Sequence, residues 1–149
     1  MILFLDACAV IYLIEAEADF HATVVATLRE LRRRFPEARL AVSRLSVLEC
    51  LVKPMREGTT DLVAEYRRFF AAADLLMIEL DALVVESALA LRARHGLRTP
   101  DAIQAASALT LPAHGHRFLT NDRPLERVAE LFVVNLAGTA PQRDRAEQS

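Results

Sequence analysis

Four acids stand just past expected strands or in the first turns of expected helices. Asp6 directly follows the run Ile2 to Leu5, and Asp122, in "RFLTNDRPL", lies just beyond the run Arg117 to Leu119. Glu49, in "AVSRLSVLEC", falls one turn into a short helix after a run at Leu40 to Val42, and Asp101, in "RTPDAIQAASAL", sits in the first turn of another helix. Each placement has an ordinary structural explanation. Acids in first helical turns are stabilised by the positive end of the helix dipole and by free backbone N–H groups. Ser46 to Glu49 matches an S-x-x-E capping box, and Asp6 and Asp122 can cap the segments that follow them. Taken jointly, the acids carry a second reading. The carboxyl ends of parallel strands share one rim, and ligands bind in the crevice there. Ionised carboxylates gathered at that rim repel one another unless a cation offsets them. Mg²⁺ or Mn²⁺ suits such a cluster, since hard divalent ions take oxygen ligands and share their shell with water and phosphate oxygens. The chemistry that follows is metal-assisted phosphodiester hydrolysis.

That reading requires a parallel sheet, and the hydrophobic pattern supplies one. Short apolar runs at Ile2 to Leu5, Leu40 to Val42, Leu76 to Leu80, Arg117 to Leu119 and Leu131 to Val134 read as strands. Helical patterns alternate with them. Asp19 is placed to cap a helix carrying Phe20, Val24, Leu28 and Leu31, and Thr60 or Asp61 opens another with Leu62, Tyr66, Phe69 and Phe70 inward. Asp81 opens a third helix that Gly96 closes, and Thr99 followed by Pro100 starts a fourth that runs to about Leu111. Such alternation predicts an α/β architecture, with a parallel sheet covered by helices on both faces. Residues 138–149 are polar and aperiodic and are expected to form a disordered tail.

Composition bounds the alternatives. With 149 residues and 53% hydrophobic content, the chain is expected to form one compact domain over residues 1–137. The N-terminal apolar run is interrupted by Asp6 and Glu15 and lacks a basic leader, so neither a signal peptide nor a membrane span is expected. Two cysteines, Cys8 and Cys50, are too few for a disulfide framework and match no zinc spacing; a reducing cytoplasm is the simplest setting. The formal net charge of −2 argues neither for nor against a polyanionic partner. Four glycines leave little room for a phosphate-cradling P-loop or a dinucleotide fingerprint, and no G-x-S-x-G elbow is present.

In the order and spacing of "LFLDACAVIYLIE", "SRLSVLEC", "TPDAIQAASAL" and "FLTNDRPL", the chain resembles the PIN domain family, and within it the small VapC-type ribonuclease toxins of toxin–antitoxin pairs. The resemblance implies a three-layer α/β/α fold with about five parallel strands. It also implies Asp6, Glu49, Asp101 and Asp122 as catalytic metal ligands for Mg²⁺ or Mn²⁺, and RNA as the substrate. A homodimer inhibited by a small antitoxin protein is implied as well. One departure stands out. Two residues after the first Asp, the family often carries Ser, Thr or Asn, where this chain has Cys8, a weaker hydrogen-bond donor. Thr120 and Asn121 are the candidates to orient the carboxylates in its place.

Arg44, Arg98 and Arg123 are the candidates for substrate phosphates, each close in sequence to a proposed ligand or its strand end. Solubilising the surface is the alternative for each. His114 and His116 flank Gly115 in an expected loop, at a spacing that matches no familiar zinc pattern. The alternative function is a non-catalytic PIN-like scaffold that binds RNA or a partner protein without cutting; retention of all four acids argues against it.

Overall fold

The computed structural model describes residues 1–138, so the expected C-terminal tail lies, apart from Gly138, outside the described residues. The elements run β1 (Ile2–Leu5), α1 (Ala7–Ile14), α2 (His21–Arg34), β2 (Arg39–Ser43), α3 (Leu45–Glu57), α4 (Thr60–Phe70), β3 (Leu76–Ile78), α5 (Ala82–His95), α6 (Thr99–Ala108), β4 (His116–Thr120), a 3-10 turn (Arg123–Arg127) and β5 (Val133–Asn135). The strands form one five-stranded sheet in the order β3-β2-β1-β4-β5, and every pair is parallel.

Period-two alternation along the strands divides the interior into two apolar layers. Leu3, Leu5, Val42 and Leu119 face one side, where they meet Val10 of α1, Val24, Leu28 and Leu31 of α2, Leu51 of α3 and Tyr66 of α4. Phe4, Ala41 and Phe118 face the other, against Val84, Ala88 and Leu91 of α5, Ala102, Ala105 and Ala106 of α6, and Leu125 of the 3-10 turn. The Phe4 and Phe118 rings stack across β1 and β4 with centroids 5.2 Å apart. The result is the expected three-layer α/β/α arrangement. Among the described residues, no helix is long and apolar enough to cross a membrane.

Local chemistry explains where the helices begin and end. Asp6 caps α1 by accepting the Ala7 N–H, and Asp81 caps α5 by accepting the Val84 N–H at 2.9 Å. Gly58 and Gly96 close α3 and α5 in the left-handed region at φ 68° and 67°, where a side chain is disfavoured. Other expected boundaries move. Phe20, not Asp19, precedes α2, and no side chain caps that helix. The Ser46 to Glu49 capping box does not form. Helix α3 already begins at Leu45 and runs 13 residues, so Ser46 is inside it, and the Ser43 hydroxyl accepts the Leu45 N–H instead. Asp122 precedes the 3-10 turn without a side-chain capping bond. Helix α6 starts with Thr99 as its first helical residue and ends at Ala108. Just beyond that end the Thr110 hydroxyl donates to the Ser107 carbonyl and takes up an acceptor the helix leaves free. His116 is not in a loop: it opens β4, fully buried, with Nδ1 3.2 Å from the Pro112 carbonyl.

The chain leaves β1 toward β2 on one side and later returns to β4 on the other. The strand order therefore reverses between β1 and β4, and a crevice opens beyond their carboxyl ends.

Candidate active site

An open cleft of about 420 Å³ occupies that crevice, lined by Asp6, Ala7, Cys8, Ile11, Glu49, Arg98, Asp101, Asn121 and Asp122. All four acids singled out in the sequence therefore reach one place. Asp6 comes from the end of β1, Glu49 from the second turn of α3, Asp101 from the first turn of α6, and Asp122 from the segment just past β4.

Asp6 is the most enclosed, at 6% exposure. Its Oδ1 accepts the Ala7 N–H at 2.7 Å, and its Oδ2 accepts the Thr120 hydroxyl at 2.7 Å and the Cys8 thiol at 3.6 Å. Thr120 Oγ1 in turn accepts the Asp122 N–H at 3.0 Å, so one buried hydroxyl ties the end of β1 to the end of β4. Burial pushes the Asp6 carboxyl up to about 6, against the lowering effect of the bonds from Thr120 and Ala7; the charges of Asp101 and Glu49 push the same way. Burial is also the main reason that Cys8 is raised, to about 12, with the Asp6 charge adding to it. The thiol is thus a protonated donor beside Asp6 and not a thiolate. Cys50 is buried, and its thiol lies 3.8 Å from the Ala7 carbonyl oxygen, with no place in the cleft.

Glu49 is half-buried and accepts the Gln104 amide N–H at 3.1 Å. Its carboxyl is raised, chiefly by burial and then by the Asp101 charge, with the Gln104 bond opposing. Asp101 is raised by burial first and also by Asp122, while Arg98 lowers it. Arg98 spans the two aspartates, with Nε 3.1 Å from Asp101 Oδ2 and Nη2 3.4 Å from Asp122 Oδ2. Three carboxyls are held above their ordinary range around one cleft, each chiefly by burial and less by its acidic neighbours.

The other candidates divide. Asn121 lines the cleft and donates its amide to the Tyr12 hydroxyl. Of the three arginines, the structure brings only Arg98 to the acids. Arg44 instead forms a forked pair with Glu79 at the exposed end of β3, and Arg123 is exposed outside the cleft lining. Two residues of the site went unnoticed in the sequence. Gln104 and Tyr12 meet Glu49 and Asn121 only through the tertiary fold; the one available sign was a long polar side chain at position 104, among the alanines of an otherwise buried helix.

The donor set suits a hard divalent ion, because every acidic oxygen in the cleft is a carboxylate oxygen and no His or thiolate competes. Among the described residues, no three His, Cys, Asp or Glu side chains close on a single point as direct ligands. The arrangement therefore fits an ion held by one or two carboxylates with water completing its shell, the usual mode for magnesium, rather than an all-protein cage.

Comparisons with known proteins bear on this geometry. By structure the chain is similar to VapBC2 from Rickettsia felis, described in complex with a promoter DNA fragment, at 18% identity, TM-score 0.69, and coverage of 91% of this chain and 98% of that one. It is also similar to a toxin–antitoxin complex from Klebsiella pneumoniae, at 20% identity, TM-score 0.65 and coverage of 90% and 97%. FitAcB from Neisseria gonorrhoeae aligns at 21% identity, TM-score 0.60 and coverage of 92% and 99%. At such identities the likeness speaks for the fold. A comparison with curated protein sequences gives no match. The family model described as "PIN domain" matches residues 3–131, nearly the whole described chain, and the protein belongs to the PIN domain family.

Proposed function

We propose that this PIN-domain protein is a divalent-cation-dependent endoribonuclease of the VapC toxin type, in which Asp6, Glu49, Asp101 and Asp122 together hold Mg²⁺ or Mn²⁺, one or two of them directly and the others through its bound water. The observation that carries the reading is the meeting of these four acids, from four separate elements, in one cleft at the strand-order reversal. When bound, the ion would lower the pKa of an attacking water and stabilise charge on the leaving oxygen of the phosphodiester.

The chain's own groups prepare the site for this task. Thr120 and the Ala7 N–H fix both oxygens of Asp6, so that the buried carboxylate has one orientation. Cys8 adds a weak third bond to the Asp6 Oδ2. Arg98 carries a forked donor at the mouth of the cleft, the shape that matches a phosphate. Residues 1–137 act as the nuclease unit in this reading, and a cytoplasmic setting accords with its two free thiols. A small antitoxin is the proposed inhibitory partner and a homodimer the proposed assembly. The first draws support from structural relatives that are themselves described as toxin–antitoxin complexes.

Incubating the purified protein with structured RNA and Mg²⁺ or Mn²⁺ tests the reading. The wild type is expected to cut, EDTA to abolish cutting, and Asp6→Ala and Asp101→Asn each to lower the rate by at least ~100-fold. Cleavage that survives both substitutions or ignores EDTA overturns it. Growth arrest on expression, relieved by Asp6→Ala, separates a toxin from a non-cutting scaffold.

A further inference from the structure

Helix α6 contributes more than Asp101 to the cleft. One turn further along, Gln104 lies inside the protein at 1% exposure, on a helix whose neighbouring positions are Ile103, alanines and Ser107. Both protons of its amide go to α3: Nε2 donates to Ser46 Oγ at 3.0 Å and to Glu49 Oε2 at 3.1 Å. Among the described residues, no protein group pairs with its buried Oε1. Leaving a buried acceptor unpaired costs stability, and a side chain of the same length without polar atoms avoids that cost. Two donated bonds, one of them to a carboxylate, stand against that cost, so the stability balance alone does not distinguish the roles this glutamine can play. The amide does, however, give Glu49 one defined orientation. Turning the amide over would set Oε1 against the carboxylate, so the observed orientation is the one suited to an ionised Glu49.

Asp101 and Gln104 are three residues apart on one rigid helix, so they share a face. Glu49 is held from that same face. We infer that Gln104 is a positioning residue which sets the place of Glu49 relative to Asp101, and through it the strength with which the acids hold a divalent ion. The inference deepens the proposed function and rests on it in taking Glu49 as one of the cation-holding acids. It assigns Gln104 no contact with RNA or with the reacting atoms.

Calorimetric titration of Mn²⁺ into the full chain, without RNA, provides the test. Gln104→Met preserves length and packing but cannot donate. It is expected to stay folded, with a lower melting temperature because the buried Ser46 hydroxyl loses its partner, while its Mn²⁺ dissociation constant rises about tenfold. Gln104→Asn keeps the amide but falls one methylene short of Glu49, and the same loss is expected. In the cleavage reaction kcat falls and KM for RNA stays as in wild type. Because Gln104 acts through Glu49, Glu49→Gln and Gln104→Met combined should weaken Mn²⁺ binding no more than Glu49→Gln alone. A purely structural glutamine would lower the melting temperature to the same extent but leave the Mn²⁺ affinity alone. Mn²⁺ binding within twofold of wild type in either single variant overturns the inference. Failure of the wild type to cut RNA, with the affinity loss intact, would sink the nuclease reading and leave Gln104's role standing. Failure of the wild type to bind Mn²⁺ at all would overturn both.

Discussion

Asp6 is held in the folded protein at a cost that its function would explain. Its carboxyl stands near 6 rather than the ordinary 3.8, so the folded state binds this proton more tightly than the unfolded chain does. Below about pH 4 the group is protonated in both states and nothing is lost. Between about pH 4 and 6 the unfolded chain has released the proton that the folded protein still holds, so roughly 3 kcal/mol of stability disappears across that window, at 1.36 kcal/mol per unit, and no more is lost above it. In EDTA, Asp6→Asn should therefore be more stable than wild type at pH 7.5 by about 1–3 kcal/mol, with the difference vanishing near pH 4. Urea melts at the two pH values measure this; equal stability at pH 7.5 would argue that the charge is relieved within the protein itself. Arg98 provides the complementary case. Its bonds to Asp101 and Asp122 are made by a side chain 77% exposed, so they are readily exchanged for a stronger cation. Arg98→Met is expected to bind Mn²⁺ about two- to fivefold more tightly, since the competing charge is gone, and to bind RNA more weakly. Weaker Mn²⁺ binding in this variant would show that Arg98 supports the ion instead of competing with it. The four acids were legible in the sequence because each stands just past a strand or in the first turns of a helix. The arginines were not, because nearness along the chain does not set direction. Arg44 follows β2 just as Asp6 follows β1, yet Glu79 at the end of the adjacent β3 takes it.

At the scale of elements, α6 is the part that the site depends on most. Its first turn holds Asp101, the residue before it is Arg98, and the left-handed Gly96 two residues earlier turns the chain from α5 into it. A Cβ at Gly96 would meet nothing within 4 Å, so replacing this glycine strains only the backbone. Gly96→Ala should cost about 1 kcal/mol and lower the melting temperature by a few degrees, with cleavage per folded molecule unchanged. A loss of cleavage beyond the loss of folded protein would mean that this turn sets the position of Arg98 and Asp101 directly. Most of the element pattern could be read in advance. Five apolar runs became the five strands, and Asp81 and Gly96 bound α5 as their chemistry predicts. The capping residues were the less readable part. Ser46 satisfied a motif that helix α3 overran, because the helix already begins at Leu45. The hydroxyl was then free for Gln104, a partner 58 residues away that no local pattern announces.

For the molecule as a whole, topology does the gathering. Each acid is locally an unremarkable cap or first-turn residue. Only the order β3-β2-β1-β4-β5, with β1 beside β4, brings the end of the first strand to the end of the fourth. Two apolar layers then fix the helices that deliver Glu49 and Asp101 from opposite faces of the sheet. An ion bound at such a junction stabilises the folded state as a unit, because the unfolded chain scatters its ligands. At a hundred times its dissociation constant, Mn²⁺ should add about 2.7 kcal/mol to the stability of wild type, all of it reversed by EDTA.

The most direct measurement titrates Mn²⁺ into wild type and into Asp6→Asn, Glu49→Gln, Asp101→Asn and Asp122→Asn. One saturable site is expected in wild type and weaker binding in every variant, with the largest loss where the neutralised oxygen is an inner ligand. Wild-type affinity in both Asp6→Asn and Asp101→Asn would mean that the acids share a cleft without sharing an ion, and would contradict that expectation.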